Sequence, residues 1–209
     1  TRRGITWEFV NGLRKTTTEM VSVIDEVLSN VNSKLVNDMC LVNLPAKGLT
    51  GDAGILLCHA TNAELGWVGS VEQINIDPIM NLIQQPKSVI PVIAPIGVDI
   101  LGNRYNINAD WAATKLASAL KAKKLIYLTD QNGILNEEKN LIPFVSEQEL
   151  HSLIETGVVS GGMYTKVLTV LDALKNGVEQ VRIMHGSEAK NGLWSDYIGT
   201  FCGELNYNQ

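Results

Sequence analysis

Apolar residues recur at intervals of three and four between residues 18 and 37, which is the spacing of one helix face. The members of this stripe are Met20, Val21, Ile24, Val27, Leu28, Val31 and Leu35. Two short apolar runs follow, at residues 55–60 and 89–95, and each predicts a strand. Because proline cannot donate a ladder hydrogen bond, Pro91 and Pro95 are expected near the ends of the second strand or on an edge.

The second half of the chain alternates helical and strand patterns more regularly. Alanines and leucines at residues 112–120 form an apolar helix face, and Asn108 or Asp110 can cap that helix. The remaining elements are a strand at 125–129, a helix from the capping box at 146–149 to Gly157, a helix from residue 163 that Gly177 stops, and a strand at 181–184. This alternation indicates βαβ crossovers, so the predicted fold is α/β with a mainly parallel sheet covered on both faces.

Composition narrows the class of protein. The chain has 209 residues, of which 45% are hydrophobic and 19% charged, and this length buries enough surface to fold without a disulfide or metal staple. A net charge of −5 argues against nucleic-acid binding, and no apolar run reaches the roughly 18 residues of a membrane span. The widely spaced Cys40, Cys58 and Cys202 favour buried, reduced thiols over a disulfide framework or a zinc site. A cytoplasmic location is therefore expected.

Polar segments lie where ligands bind in open α/β sheets, beyond the carboxyl ends of strands and beside helix N-termini. In one of them, Asn106, Asn108 and Asp110 could orient a polar ligand or a cation-bound phosphate. The alternative is that Asn108 and Asp110 only cap the helix. Another segment, residues 130–135, could hold a nucleotide base or ribose in its backbone, or could form an ordinary turn.

Two cationic side chains are further candidates. Small residues at 160–162 expose backbone N–H groups at a helix start, and Lys166 on the first turn opposes the helix dipole. An anionic partner would explain this lysine, and a solvated lysine is the alternative. Arg14 stands among apolar and turn residues, where a guanidinium suits carboxylate recognition or a surface salt bridge. Neither the P-loop nor the Rossmann glycine pattern occurs, and no histidine spacing indicates a metal site.

Seven segments stand in one order along nearly the whole chain, as far as residues 199–200. They are residues 9–16 (FVNGLRKT), 48–54 (GLTGDAG), 65–69 (LGWVG), 91–97 (PVIAPIG), 105–110 (YNINAD), 128–135 (LTDQNGIL) and 161–167 (GGMYTKV). Together they resemble the acetylglutamate kinases of the amino acid kinase family. The resemblance implies a three-layer αβα sandwich and a single kinase domain over residues 1–209, with a substrate side at roughly 1–100 and a nucleotide side at roughly 101–209.

The resemblance also implies a reaction, phosphoryl transfer from ATP with Mg²⁺ to the side-chain carboxylate of N-acetyl-L-glutamate, in the second step of arginine biosynthesis. It assigns the α-carboxylate of the substrate to Arg14 and further substrate contacts to Asn106. It makes Asp110 the organiser of the catalytic lysines and Lys166 the residue that neutralises the transferring phosphoryl group. The segments that would line the ATP site are Asp130, Gln131, Asn132, Gly133, Ile134 and Leu135, with Val158, Val159 and Ser160.

The chain departs from the family pattern in several places. The family begins with a strand carrying Lys-x-Gly-Gly and has a later His-Gly-Gly-Gly loop, and neither pattern occurs in these 209 residues. Both are expected upstream of Thr1. Smaller departures are Lys15, which could alter the charge of the substrate pocket, Gln131 and the bulky Trp111.

Alternative functions remain open at this point. One is a non-catalytic or incomplete fragment that binds ligand or a partner subunit. Another is an amino acid kinase acting on a different carboxylate or carbamate, which the segment ending in Arg14 and Asn106 disfavours. A homodimer is expected, and the helix from Met20 to Leu35 has apolar positions to contribute to its interface.

Overall fold

The computed structural model describes residues 8–10, 13–192 and 198–204, so Asn11 and Gly12 of the first motif lie outside it. The helices are α1 (Thr18–Leu41), α2 (Asp77–Ile83), α3 (Ala109–Ala119), α4 (Glu147–Glu155), α5 (Gly161–Lys175) and α6 (Ala189–Gly192). The strands are β1 (Phe9–Val10), β2 (Leu13–Arg14), β3 (Ala46–Leu49), β4 (Leu56–Ala60), β5 (Gly69–Ile74), β6 (Ile90–Ile93), β7 (Ile96–Val98), β8 (Arg104–Asn106), β9 (Lys124–Thr129), β10 (Phe144–Val145), β11 (Gln180–His185) and β12 (Thr200–Cys202). The chain divides into two compact units, one ending at Ala112 and the other beginning at Ala113.

The described part of unit one, which spans residues 1–112, contains two sheets besides the small β1–β2 pair. Strands β3 and β6 pair in parallel, and the other sheet has the order β5-β4-β7-β8 with a parallel β4–β7 contact. Helix α1 packs on the β3–β6 pair, where the Asn32 side chain donates a hydrogen bond of 2.7 Å to the carbonyl of Val92. A Cβ at Gly48 would collide with the Asn32 side chain, so this glycine allows the helix to approach the strand.

Unit two, residues 113–209, has one sheet in the order β10-β12-β11-β9. Strands β9 and β11 pair in parallel over six residues, and β12 runs antiparallel to β11. Aliphatic side chains without any exposed surface fill the core beside this sheet; they include Ile134, Leu150, Val167, Val170, Val181 and Ile183. Helix α4 begins with the predicted capping box, in which Ser146 and Glu149 exchange hydrogen bonds between side chain and backbone.

The predicted α/β class with parallel-rich sheets is confirmed, with local corrections. Helix α1 continues to Leu41, beyond the predicted end at residue 37. Asn108 caps α3 because its Oδ1 accepts from the backbone N–H groups of Asp110 and Trp111, so Asp110 lies inside the first turn. The prediction that all three thiols are buried was wrong for Cys40, which is exposed at the end of α1.

The cysteines are all free, and Cys58 and Cys202 are buried as predicted. Burial raises the pKa of both thiols to about 12, and the nearby Asp99 adds to the shift at Cys58. Within the described residues, no helix combines the length and the apolar character that a membrane span requires.

Candidate active site

Unit one contains a cavity of about 480 Å³ with a polar end and an apolar wall. Arg14 and Asn106, the two residues predicted to bind substrate, both line it, together with the cap residue Asn108. The apolar wall comes from one side of α1 and consists of Val23, Ile24, Val27 and Leu28. The structure therefore brings together two motifs that are far apart in the chain.

A backbone ladder holds these two motifs beside each other. The segment at residues 65–67 lies between them: the amide of Thr16 donates to the carbonyl of Leu65 at 2.9 Å, and the amide of Trp67 donates to the carbonyl of Thr16 at 2.8 Å. On its other side, the carbonyl of Trp67 accepts from the amide of Asn106 at 2.9 Å. Gly66 fits here for two reasons, since its φ is +65° and a Cβ would lie 2.5 Å from the Thr16 carbonyl oxygen.

Two further motif glycines allow close packing behind the pocket. A Cβ at Gly69 would lie 2.7 Å from Cδ1 of Ile107, and a Cβ at Gly97 would lie 2.8 Å from the same atom. The buried Ile107 also lines the pocket, between Asn106 and Asn108. Glycine at these two strand positions therefore lets β5 and β7 pack against the residue that separates the two asparagines.

Asp110, predicted to organise the catalytic lysines, follows the pocket residue Ala109 in the first turn of α3. An acidic side chain in the first turn is favourably placed with respect to the helix dipole. Its backbone N–H is already bound by the Asn108 side chain at 3.0 Å, so capping needs no help from the Asp110 carboxylate.

Sequence reasoning missed two polar residues in or next to the elements that line the pocket. Thr16 is fully buried and contacts Asn106 through its hydroxyl group. Arg104 forms ion pairs with Asp52, in the turn before β4, and with Asp25 of α1 at 3.7 Å. The available signal for Arg104 was its position two residues before Asn106, which puts both side chains on one face of β8.

The departure at Lys15 is a surface feature. Its Nζ lies 3.7 Å from a carboxylate oxygen of Glu8, and the two side chains are 46% and 68% exposed. Because the charge of Lys15 is met by this exposed ion pair, its predicted effect on the substrate pocket gains no support from the geometry.

In unit two, the segment predicted to bind nucleotide divides into an exposed and a buried half. Asp130, Gln131 and Asn132 are exposed directly after β9. Gly133 is buried, with φ +150° and Oγ1 of Thr200 close to where a Cβ would be. The side chains of Ile134 and Leu135 are fully and partly buried, and the Ile134 amide donates to Oγ1 of Thr200 at 2.8 Å. The buried half therefore anchors the segment, and the exposed half is the part that a ligand can reach.

The start of α5 is an open helix N-terminus. Ser160 precedes it without a side-chain capping bond, and a Cβ at Gly161 or Gly162 would meet no atom within 4 Å. The first turn carries no acidic residue. Of the two preceding residues predicted for the ATP site, Val159 is buried and Val158 is half-buried. Such an N-terminus is suited to binding an anion.

Lys166 was predicted to lie on the first turn of α5. It is the sixth residue of the helix and therefore lies on the second turn. Its Nζ is 5.0 Å from the centre of the Tyr127 ring, and Tyr127 lies two residues before the end of β9. The Tyr127 hydroxyl is 2.5 Å from Oγ1 of Thr114, so the ring that supports the lysine is itself held in place. This contact puts Lys166 near the carboxyl end of β9, after which Asp130 begins the exposed segment.

Comparisons with known proteins identify the family of this chain. The model of the amino acid kinase family matches residues 1–185. The acetylglutamate kinase of Ruegeria pomeroyi is 41% identical over 200 residues, covering 95% of this chain and 69% of the relative. That of Campylobacter curvus is 40% identical over 182 residues, covering 86% of this chain and 64% of the relative. The chain thus spans about two thirds of the length of these relatives.

A solved structure shows the same fold. The protein smu.665 of Streptococcus mutans UA159 superimposes with a TM-score of 0.84 at 25% sequence identity, covering 97% of this chain and 79% of that one. The resemblance predicted from the seven motifs is confirmed: the chain belongs to the amino acid kinase family and, within it, to the acetylglutamate kinase group.

Proposed function

We propose that this chain takes part in the transfer of the γ-phosphoryl group of ATP to the side-chain carboxylate of N-acetyl-L-glutamate, which yields an acyl phosphate and ADP. The relatives at about 40% identity are acetylglutamate kinases, and the family model covers most of the chain. The observation that carries the proposal is the pocket of unit one, where Arg14 and Asn106 meet an aliphatic wall. The product would continue into arginine biosynthesis.

The chemistry of the pocket suits the acceptor substrate. N-acetyl-L-glutamate carries two carboxylates, an amide and a methyl group. The Arg14 guanidinium can hold one carboxylate through two parallel hydrogen bonds, and the Asn106 amide can both donate and accept. The aliphatic side chains of α1 offer apolar contact to the methyl and methylene groups.

Unit two supplies the features that the phosphoryl donor requires. Phosphoryl transfer asks for positioning and charge compensation more than for covalent chemistry by the protein. The open N-terminus of α5 can bind phosphate oxygens through its backbone N–H groups, and Lys166 can compensate charge on the transferring group. Asp130, Gln131 and Asn132 offer exposed polar groups to the nucleoside. Mg²⁺ would accompany ATP and supply further charge compensation; Asp110 would organise the catalytic lysines.

The proposal includes a homodimer in a reducing, cytoplasmic setting. Beyond the pocket wall, helix α1 exposes Val31 and Leu35 by 58% and 48%, and these two residues lie four apart on one helix face. A second copy of the chain covering this face would remove apolar surface from water. Sedimentation that shows only monomer at high protein concentration would contradict the dimer.

Hydroxylamine trapping tests the reaction directly. The chain is incubated with ATP, Mg²⁺ and N-acetyl-L-glutamate, and the acyl phosphate is measured as its hydroxamate. Signal that depends on both substrates and is lost with unacetylated glutamate supports the proposal. A calorimetric titration with N-acetyl-L-glutamate runs in parallel. Binding without turnover would favour the second candidate, a chain that binds ligand but does not catalyse transfer, since neither Lys-x-Gly-Gly nor His-Gly-Gly-Gly occurs in these 209 residues. The absence of both binding and turnover would contradict both candidate functions.

A further inference from the structure

We infer that Thr16 is a positioning residue, whose buried hydroxyl fixes the side-chain amide of Asn106 and connects it to the backbone of Arg14. The inference rests on the proposed function, because it concerns how the acceptor pocket is organised. Thr16 has no exposed surface. Its Oγ1 donates to the carbonyl of Arg14 at 2.8 Å and accepts from Nδ2 of Asn106 at 3.2 Å. One hydroxyl group therefore contacts both residues that are proposed to bind substrate.

The direction of these two hydrogen bonds follows from their chemistry. A hydroxyl has one proton, and the Arg14 carbonyl can only accept, so that proton is committed to the carbonyl. Toward Asn106, Oγ1 then has only lone pairs to offer. The NH₂ end of the amide must face Thr16, and Oδ1 must point away from it. Thr16 thus selects one of the two flip states of the Asn106 amide, a choice that side-chain shape alone does not make.

The same geometry separates this role from a general role in folding. The backbone of Thr16 is held by its bonds to Leu65 and Trp67, and the backbone of Asn106 is held by Trp67. None of these bonds uses the Thr16 hydroxyl. Replacing the hydroxyl by a methyl group therefore leaves the ladder in place while it frees the Asn106 amide to rotate and flip.

The test compares Thr16→Val, which keeps the shape and removes the hydroxyl, with Thr16→Ser, which keeps the hydroxyl. Loss of one neutral hydrogen bond predicts that Thr16→Val raises KM and the calorimetric Kd for N-acetyl-L-glutamate by about tenfold. KM for ATP stays within about twofold of the wild-type value, since the two hydrogen bonds of the Thr16 hydroxyl go to the acceptor residues Arg14 and Asn106. Thr16→Ser restores most of the acceptor affinity.

A matched control and a signal that needs no substrate complete the experiment. The control Thr61→Val removes another hydroxyl of unit one, whose hydrogen bond is with Ser70 at 3.0 Å and not with Arg14 or Asn106. Acceptor affinity should therefore not change. In ¹⁵N-labelled protein, the side-chain amide signals of Asn106, assigned through Asn106→Asp, should shift and broaden in Thr16→Val and remain in Thr16→Ser and Thr61→Val.

The outcomes are distinguishable. Wild-type protein without acceptor binding contradicts the proposed function, and the inference about acceptor affinity falls with it. Wild-type binding with unchanged affinity in Thr16→Val overturns the positioning role alone. Unchanged Asn106 amide signals in Thr16→Val overturn it whether or not substrate binds. Equal losses for N-acetyl-L-glutamate and ATP would indicate general destabilisation and would also overturn it.

Discussion

Gly66 provides a quantitative test of how the pocket is built. The substitution Gly66→Ala meets two penalties: its φ of +65° disfavours a side chain, and the new Cβ would lie 2.5 Å from the carbonyl oxygen of Thr16. The first penalty is about 1 kcal/mol for an alanine in the left-handed region. Relieving the second requires backbone movement that loosens the hydrogen bond from the Trp67 amide to Thr16, at a further cost of about 1–2 kcal/mol.

Gly54 is the matched control for this prediction. Its φ is +60°, but a Cβ there would meet no atom within 4 Å, so Gly54→Ala carries the conformational penalty alone. We expect Gly66→Ala to lower the free energy of unfolding by about 2–3 kcal/mol and Gly54→Ala by about 1 kcal/mol. Urea denaturation followed by tryptophan fluorescence measures both. Equal losses in the two variants would refute the argument from close approach.

Further predictions concern Arg14, Lys166 and one capping interaction. Arg14→Ala should raise KM for N-acetyl-L-glutamate far more than KM for ATP; comparable effects on both would contradict its assignment to the acceptor. Lys166→Ala should lower kcat by roughly a hundredfold, as expected for loss of one transition-state charge partner, and near-normal kcat would remove it from the site. Hydrogen bonds from the Ser146 backbone and side chain lower the pKa of Glu149, so its ionised form stabilises α4. That stabilisation should be complete at neutral pH and should be lost as the pH falls below 4.5 and through the lowered pKa. In thermal melts, Glu149→Gln should make the fall of Tm at acid pH smaller.

The longer helices were predictable from the sequence because their signals are local. The apolar stripe of α1 and the capping box at Ser146 depend on residues three and four apart, and both elements are present as predicted. Helix α2 and the strands β1, β2, β3, β5, β7, β8, β10 and β12 were not predicted. All of these strands except β5 have only two to four residues, which is too few for a period to be detected. The exposure of Cys40 could not be predicted either, because the sequence neighbours of a residue do not reveal that a helix ends there in solvent.

The sequence named the candidate site residues but could not give their geometry. Arg14 and Asn106 came from their motifs, and nothing local in either segment says that they share a pocket. Thr16 gains its role only from a hydrogen bond to a residue far along the chain, so no local pattern distinguishes it from any other threonine. Lys166 was predicted one turn too early, because helix starts are the least certain part of a periodic pattern.

The contrast among the three thiols makes the chain selectively labelable. With pKa values of about 12, Cys58 and Cys202 hold only about one part in ten thousand as thiolate at pH 8, and both are buried. Cys40 is exposed at the last turn of α1. A maleimide dye should therefore attach at this single position in native protein without any engineered cysteine. A fluorophore there would report, through its anisotropy and quenching, whatever covers or moves the end of the helix that forms the apolar wall of the pocket.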